Sequence, residues 1–192
     1  MTTSYLPLAV TVLPRKRAVT VALVVSFALL TAAAAQFRVS LPFTPVPITG
    51  QTFAVLLAGA AAGSWAGGAS QLLYVLLGGI GLPFYSEGAS GWGVIAGPTG
   101  GYLIGFIVAA WFVGYLAEHR QDRTPATAVP AFVAGTVLIY LFGVTWLAAD
   151  LGVSATEAME LGLVPFVIGD LIKAGLAGSL LPLAWKVADR RQ

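Results

Sequence analysis

The chain has 192 residues, 58% of them hydrophobic and 9% charged, with a net charge of +2. Soluble domains carry about a quarter charged residues, so a water-facing surface cannot be built from this composition and the chain reads as an integral membrane protein. The few charges sit at segment ends, which argues against a nucleic-acid partner, and the lack of cysteine excludes disulfides and thiolate chemistry.

A membrane-crossing helix needs roughly 20 mainly apolar residues. Residues 18–37 are uncharged between Arg17 and Arg38 and predict the first helix. "PRKR", the apolar run and "AAAAQ" also fit a signal peptide with an A-x-A cleavage site; that alternative leaves five spans and the same orientation for the rest. "VSLPFTPVPITG" follows, a loop expected to be ordered and re-entrant because its three prolines restrict the backbone. Residues 39–86 hold no charge and are broken by "AAAGSWAGGAS". They predict two short helices, about 51–63 and 65–79, joined by a tight turn at 63–67. "GGIGLPFYSEGASGWGVIA" is a long glycine-rich loop, and "AGPTGGYLIG" opens a fourth helix over about 97–117. A fifth, about 125–148, follows the charged "EHRQDRTPA", and a sixth, about 164–186, follows the acidic connection "DLGVSATEAMELG".

Basic residues mark the cytoplasmic side of a membrane protein. Arg15, Lys16 and Arg17 precede the first helix, Arg120 and Arg123 follow the fourth, and Lys186, Arg190 and Arg191 end the chain. With six spans all of these fall on one side. The other side holds Arg38, Glu87, Asp150, Glu157 and Glu160. The expected fold is all-α, a single membrane domain of six transmembrane helices with both termini cytoplasmic.

Little of the chain suits catalysis. The lone histidine, His119, lies in a cytoplasmic loop, and no G-x-S-x-G elbow or Walker A sequence occurs. No catalytic residue, metal site or cofactor is expected. The exceptional residues are Asp170 and Lys173 in "VPFVIGDLIKAGLAG". A charge inside a membrane helix costs a few kcal/mol, and at i and i+3 the two share one helix face and can pair. They point to a buried site for a polar ligand captured from outside, with Gly169, Gly175 and Gly178 as close-approach surface. Gln51, Gln71, Tyr74, Tyr85, Trp92, Thr99 and Tyr102 are candidates to converge on it, and Arg38 stands at the outer mouth to meet an anion. Gly100 and Gly101 remove bulk at the start of the fourth helix, where either a ligand or another helix can approach the backbone. Valine there should be less tolerated than at Gly114, near the inner end.

"LPFTPVPITGQTFAVLLAGAAAG", "LLYVLLGGIGLPFYSEG", "GPTGGYLIGF" and "GDLIKAGLAG" closely resemble the BioY family, the biotin-binding substrate components of energy-coupling factor (ECF) vitamin transporters. The four motifs occur in order and the resemblance covers about 18–178. It implies a six-helix substrate-component fold in a prokaryotic cytoplasmic membrane, with an outward-facing biotin pocket. The proline-rich loop, 42–50, would lie over that pocket, and Asp170 and Lys173 match the family's "GDLxK" pair. It also implies partners, a transmembrane coupling protein and two ATPase subunits, docked through a small-xxx-small face on the first helix that Ala28 and Ala32 fit. One departure stands out: relatives carry an arginine in the loop before "GPTGG", where this chain has no basic residue and has Glu87. A substrate component for another small vitamin and a ligand-free scaffold are the rival readings.

Overall fold

The computed structural model describes residues 6–14 and 16–189; Arg15, Arg190 and Arg191, counted above among the basic residues, lie outside them. A short helix α1 (Leu8–Val12) precedes α2 (Arg17–Gln36). Two-residue strands β1 (Arg38–Val39) and β2 (Ile48–Thr49) pair antiparallel, with Arg38 opposite Thr49. Then come α3 (Gln51–Ala62), α4 (Ser64–Gly79), a 3-10 turn at Ser86–Gly88, α5 (Trp92–Ala96) and α6 (Gly100–Glu118). The chain ends with α7 (Pro125–Leu151), α8 (Ala155–Gly162) and α9 (Val167–Asp189).

Four helices, α2, α6, α7 and α9, are long and apolar enough to cross a membrane, the pattern of a multi-pass membrane protein. Helices α3 and α4 have 12 and 16 residues. At 1.5 Å per residue both fall short of the roughly 30 Å hydrocarbon core. The distribution of side chains on α9 is that of a helix dissolved in lipid. Ile168, Leu171, Ile172, Leu176, Leu180, Leu183 and Val187 face outward, while Asp170, Ala174, Ala177, Leu181 and Trp185 face the bundle.

Local chemistry explains the joints. Gly63 is the single residue between α3 and α4, at φ +89°, a conformation that favours glycine. The Glu118 carboxylate, at the end of α6, accepts from the Ser64 N–H at 2.8 Å and the Ser64 hydroxyl at 2.9 Å. It caps the α4 N-terminus, where negative charge is favoured. Pro125 opens α7, where its missing N–H costs nothing, and Gly152 closes it in the left-handed region with its N–H on the Ala148 carbonyl. The acidic connection read as a loop contains α8. Ser154 accepts from the Glu157 N–H at 3.2 Å, and "SATE" is the capping-box sequence that announces this helix.

The glycines of "AGPTGGYLIG" serve packing. A Cβ on Gly100 would overlap the Ile95 carbonyl, and one on Gly101 would overlap Trp146 and the Phe142 carbonyl. The fourth predicted helix therefore begins at Gly100, after the turn through Pro98 and Thr99, and presses closely on α7. Gly114 is equally confined, because a Cβ there would overlap the backbone of Gly63 and Ser64; the expected tolerance at the inner end is corrected. Of the three glycines expected to give close-approach surface, Gly178 does, since a Cβ there would overlap Val129 on α7, whereas Gly169 and Gly175 meet nothing within 4 Å.

The docking face expected on the first helix is also corrected. Ala28 and Ala32 are buried, at 0% and 7% exposure, because that side of α2 packs on α3 and α4. The small side chains that α2 exposes are Ala18, Ala22, Ser26 and Ala33.

At the end of the bundle that carries Lys16 and Arg17, the α6–α7 connection grips α9. The Trp185 Nε1–H donates to Asp122 Oδ2 at 2.5 Å, and the Arg123 guanidinium lies 3.3 Å from the centre of the Trp185 ring. Asp122 is 2% exposed. Burial pushes its carboxyl above the usual carboxylate range, against the lowering effects of the Trp185 hydrogen bond and the nearby arginines.

Candidate ligand site

The opposite end of the bundle holds a cavity of 380 Å³, within the size range of small-molecule sites. Its walls come from the proline-rich loop (Thr44, Pro45, Val46, Pro47), α3, α4, the 80–91 loop, α6, α7 and α9. The loop is tied across the opening by the Thr44 hydroxyl, which donates to the Leu161 carbonyl at 2.8 Å. The apolar lining includes Val94, Leu103, Phe106, Ile139 and Phe166.

Asp170 is the polar centre, at 5% exposure. Its Oδ1 accepts from Lys173 Nζ at 2.8 Å and from the Thr52 hydroxyl at 3.0 Å. Its Oδ2 accepts from the Tyr140 hydroxyl at 2.5 Å. A carboxylate offers about four acceptor positions, so three are filled by the protein and one is left. The Lys173 ammonium is more fully committed. Besides Asp170 it donates to the Thr49 carbonyl at 2.7 Å and to Thr52 Oγ1 at 3.2 Å, which occupies all three of its N–H groups. The lysine thus neutralises the buried aspartate and fastens the end of the hairpin to α9.

The second polar wall is a relay. The Thr49 hydroxyl donates to Gln51 Oε1 at 2.9 Å, and Gln51 Nε2 donates to the Tyr74 hydroxyl oxygen at 2.7 Å. Tyr74 and Tyr85 meet edge to face, with ring centroids 5.7 Å apart. The Tyr85 hydroxyl donates to the Val75 carbonyl at 2.6 Å, and burial pushes it up to about 12, so it is a neutral donor. The Tyr102 hydroxyl donates to the Gly162 carbonyl at 2.7 Å, joining α6 to α8.

A BioY family model matches residues 6–190. The chain belongs to the BioY family. A biotin transporter BioY of Rhizobium etli is 40% identical over 149 residues, covering 74% of this chain and 79% of the relative. A probable biotin transporter BioY of Pyrococcus horikoshii is 38% identical over 157 residues, covering 82% and 90%. The crystal structure of the S-component for biotin from an ECF-type ABC transporter superposes with a TM-score of 0.81. It is 22% identical and the match covers 91% of this chain and 94% of that one, a likeness of fold.

Within this BioY chain the cavity gathers seven of the residues singled out in the sequence: Asp170, Lys173, Gln51, Tyr74, Tyr85, Thr99 and Tyr102. Four others stand apart. Gln71 is fully buried on α4, one turn further from the opening than Tyr74, where its Nε2 donates to the Ser70 hydroxyl oxygen at 3.0 Å. Gly100 is taken up by its contact with Ile95. Arg38 lies in a shallower neighbouring cleft that shares Thr49 and Lys173 with the cavity, and it pairs with Glu87 on the rim. Trp92 is 58% exposed and is not among the residues that line the cavity. The residues that sequence reasoning missed are Tyr140 and Thr52. Tyr140 had a signal, a hydroxyl in the middle of the apolar run "VLIYLFG", since a buried tyrosine hydroxyl usually has a partner.

Proposed function

We propose that this protein captures biotin from outside and passes it across a prokaryotic cytoplasmic membrane as the substrate-binding component of an ECF-type ABC transporter. The observation that carries this reading is the Asp170 site: a buried carboxylate with one acceptor position unused, facing a cavity with apolar and aromatic walls that opens at one end of the bundle. Biotin's ureido group brings two N–H donors and a carbonyl, and its fused ring and aliphatic chain suit such walls. Asp170 takes a ureido N–H. Gln51 and Tyr74 face the same space as further polar partners, and Lys173 holds Asp170 and the hairpin in place.

In this reading α3 and α4 complete six crossings, and the end with Lys16, Arg17, Arg120, Arg123 and Lys186 is cytoplasmic. The cavity then opens to the exterior. ATP hydrolysis lies on partners, a transmembrane coupling protein and two ATPase subunits, since the chain has no phosphate-binding loop of its own. The lipid-facing side of α2, with Ala18, Ala22 and Ser26 in line, is where a partner helix can approach closely.

The test is titration of biotin, thiamine and riboflavin into detergent-purified protein. Saturable binding of biotin alone is the expected result. A folded protein that binds another vitamin in preference, or none, overturns the reading.

A further inference from the structure

The cavity has a second polar locus at its rim, away from Asp170. Here Glu87, 58% exposed, pairs with Arg38, whose side chain is 34% exposed. Arg38 Nη1 also donates to the Ser40 hydroxyl oxygen at 2.8 Å. Both contacts use the same nitrogen, so the Nη2 and Nε donors of the guanidinium are uncommitted. Ser40, Ser86 and Glu87 all line the cavity. The Ser86 hydroxyl is buried and without a partner. The Ser40 oxygen accepts from Arg38, which leaves its own O–H to donate. Beside the Arg38–Glu87 pair the cavity lining thus carries two hydroxyls with a donor to spare, Ser40 and Ser86, and the guanidinium keeps donors that Glu87 does not use.

Charge points the same way. A carboxylate-bearing ligand entering the cavity finds no free positive charge at Asp170, whose partner Lys173 is spent on it, and meets Glu87 at the rim. Among the described residues, Lys173 and Arg38 are the lysine and arginine that lie on the cavity side of the bundle. Every N–H of Lys173 is in use. Arg38 keeps the planar pair of donors that matches a carboxylate two-to-two.

We infer that Arg38 is the receptor for the ligand's carboxylate, with the Ser40 and Ser86 hydroxyls beside it, and that Glu87 is its resident partner, displaced when the ligand arrives. The inference rests on the biotin reading above. It assigns the ring end of the ligand to Asp170 and the chain end to the rim. The Arg38–Glu87 pair joins the hairpin to the 80–91 loop across the opening, and the hairpin places Arg38 opposite Thr49, whose carbonyl Lys173 holds. Occupation of the deep site and of the rim are thereby linked through one short strand pair.

The experiment compares biotin with biotinamide, which lacks the negative charge, in detergent-purified wild type, Arg38→Gln and Glu87→Gln. Wild type should prefer biotin by about tenfold, the low end for a charged hydrogen bond because the rim is partly exposed to water. In Arg38→Gln that ratio should collapse toward one. In Glu87→Gln, biotin should bind more tightly while the ratio rises. An unchanged ratio in Arg38→Gln overturns the inference. So does Glu87→Gln binding biotin more weakly, a measurement that stands even where Arg38→Gln does not fold. Wild type that binds both compounds equally also overturns it, and leaves the biotin reading intact. Wild type that binds neither removes the biotin reading itself.

Discussion

Three donors, from Lys173, Thr52 and Tyr140, converge on the Asp170 carboxylate inside an apolar bundle. Removing one member of a buried ion pair strands the other, whereas removing both is milder for stability. Binding follows a different rule, since the ligand needs the carboxylate. A hydrogen bond to a charged group contributes about 1.5–3 kcal/mol, one to two decades at about 1.4 kcal/mol per decade. Asp170→Asn and Lys173→Met should each weaken biotin binding by about that much or more, the second partly by releasing the Thr49 carbonyl and the hairpin. Asp170→Asn/Lys173→Met should fold without detectable binding. Tyr140→Phe, which removes one donor of three, should weaken binding without abolishing it. Titrations with a melting curve for each variant decide the matter: a well-folded double variant of near-native affinity reduces the pair to a structural role.

The elements carry a different kind of constraint, that of distance between backbones. Gly101→Val drives a side chain into Trp146, and Gly114→Val drives one into the α3–α4 turn; overpacking typically costs about 1–3 kcal/mol. Both variants should lose the monodisperse folded peak on size-exclusion chromatography, while Gly175→Ala, with open space around it, should elute and melt like wild type or slightly higher. For α2, Ala28→Trp should abolish folding, since Ala28 is fully buried. Ala22→Trp, on the lipid-facing side, should leave biotin binding intact and block ATP-driven uptake in cells; wild-type uptake would remove the docking role from that face. The spans over α2, α6 and α7 are legible from length and charge-free runs, and α9 from its length and apolar content around Asp170 and Lys173, because lipid imposes one requirement on all of them. Which side of α2 faces inward was not readable, since a helix apolar all round gives no periodicity. The α8 helix is legible in "SATE", within a stretch whose acidic composition reads as a connection. Asp170 and Lys173 were conspicuous because charge is rare there, whereas Tyr140 becomes part of the site only through the packing of α7 on α9.

Across the whole molecule, α9 is the beam that links the two ends. Its outer end carries Asp170 and Lys173, and its inner end is gripped through Trp185 by Asp122. That grip should be visible as a pH dependence of stability. Burial holds the Asp122 carboxyl above the usual carboxylate range in the folded protein, so the folded state binds this proton more tightly than the unfolded chain. Stability from this group is therefore highest at low pH. It falls as pH rises from the ordinary carboxylate value to the raised folded value, and is flat above it. Asp122→Asn keeps an oxygen to accept from the Trp185 N–H while removing the charge. Melting temperatures of wild type and Asp122→Asn, measured from about pH 4 upward, should converge at the acid end. They should separate in favour of the variant as pH rises. Other carboxylates titrate in both proteins and cancel in the difference. Biotin affinity in Asp122→Asn should stay close to wild type, because the beam is still held at the inner end. A variant that falls further below wild type as pH rises through the carboxylate range would mean that the carboxylate is ionised in the folded state. The grip would then come from its attraction to Arg123, 3.8 Å away, rather than from the indole hydrogen bond.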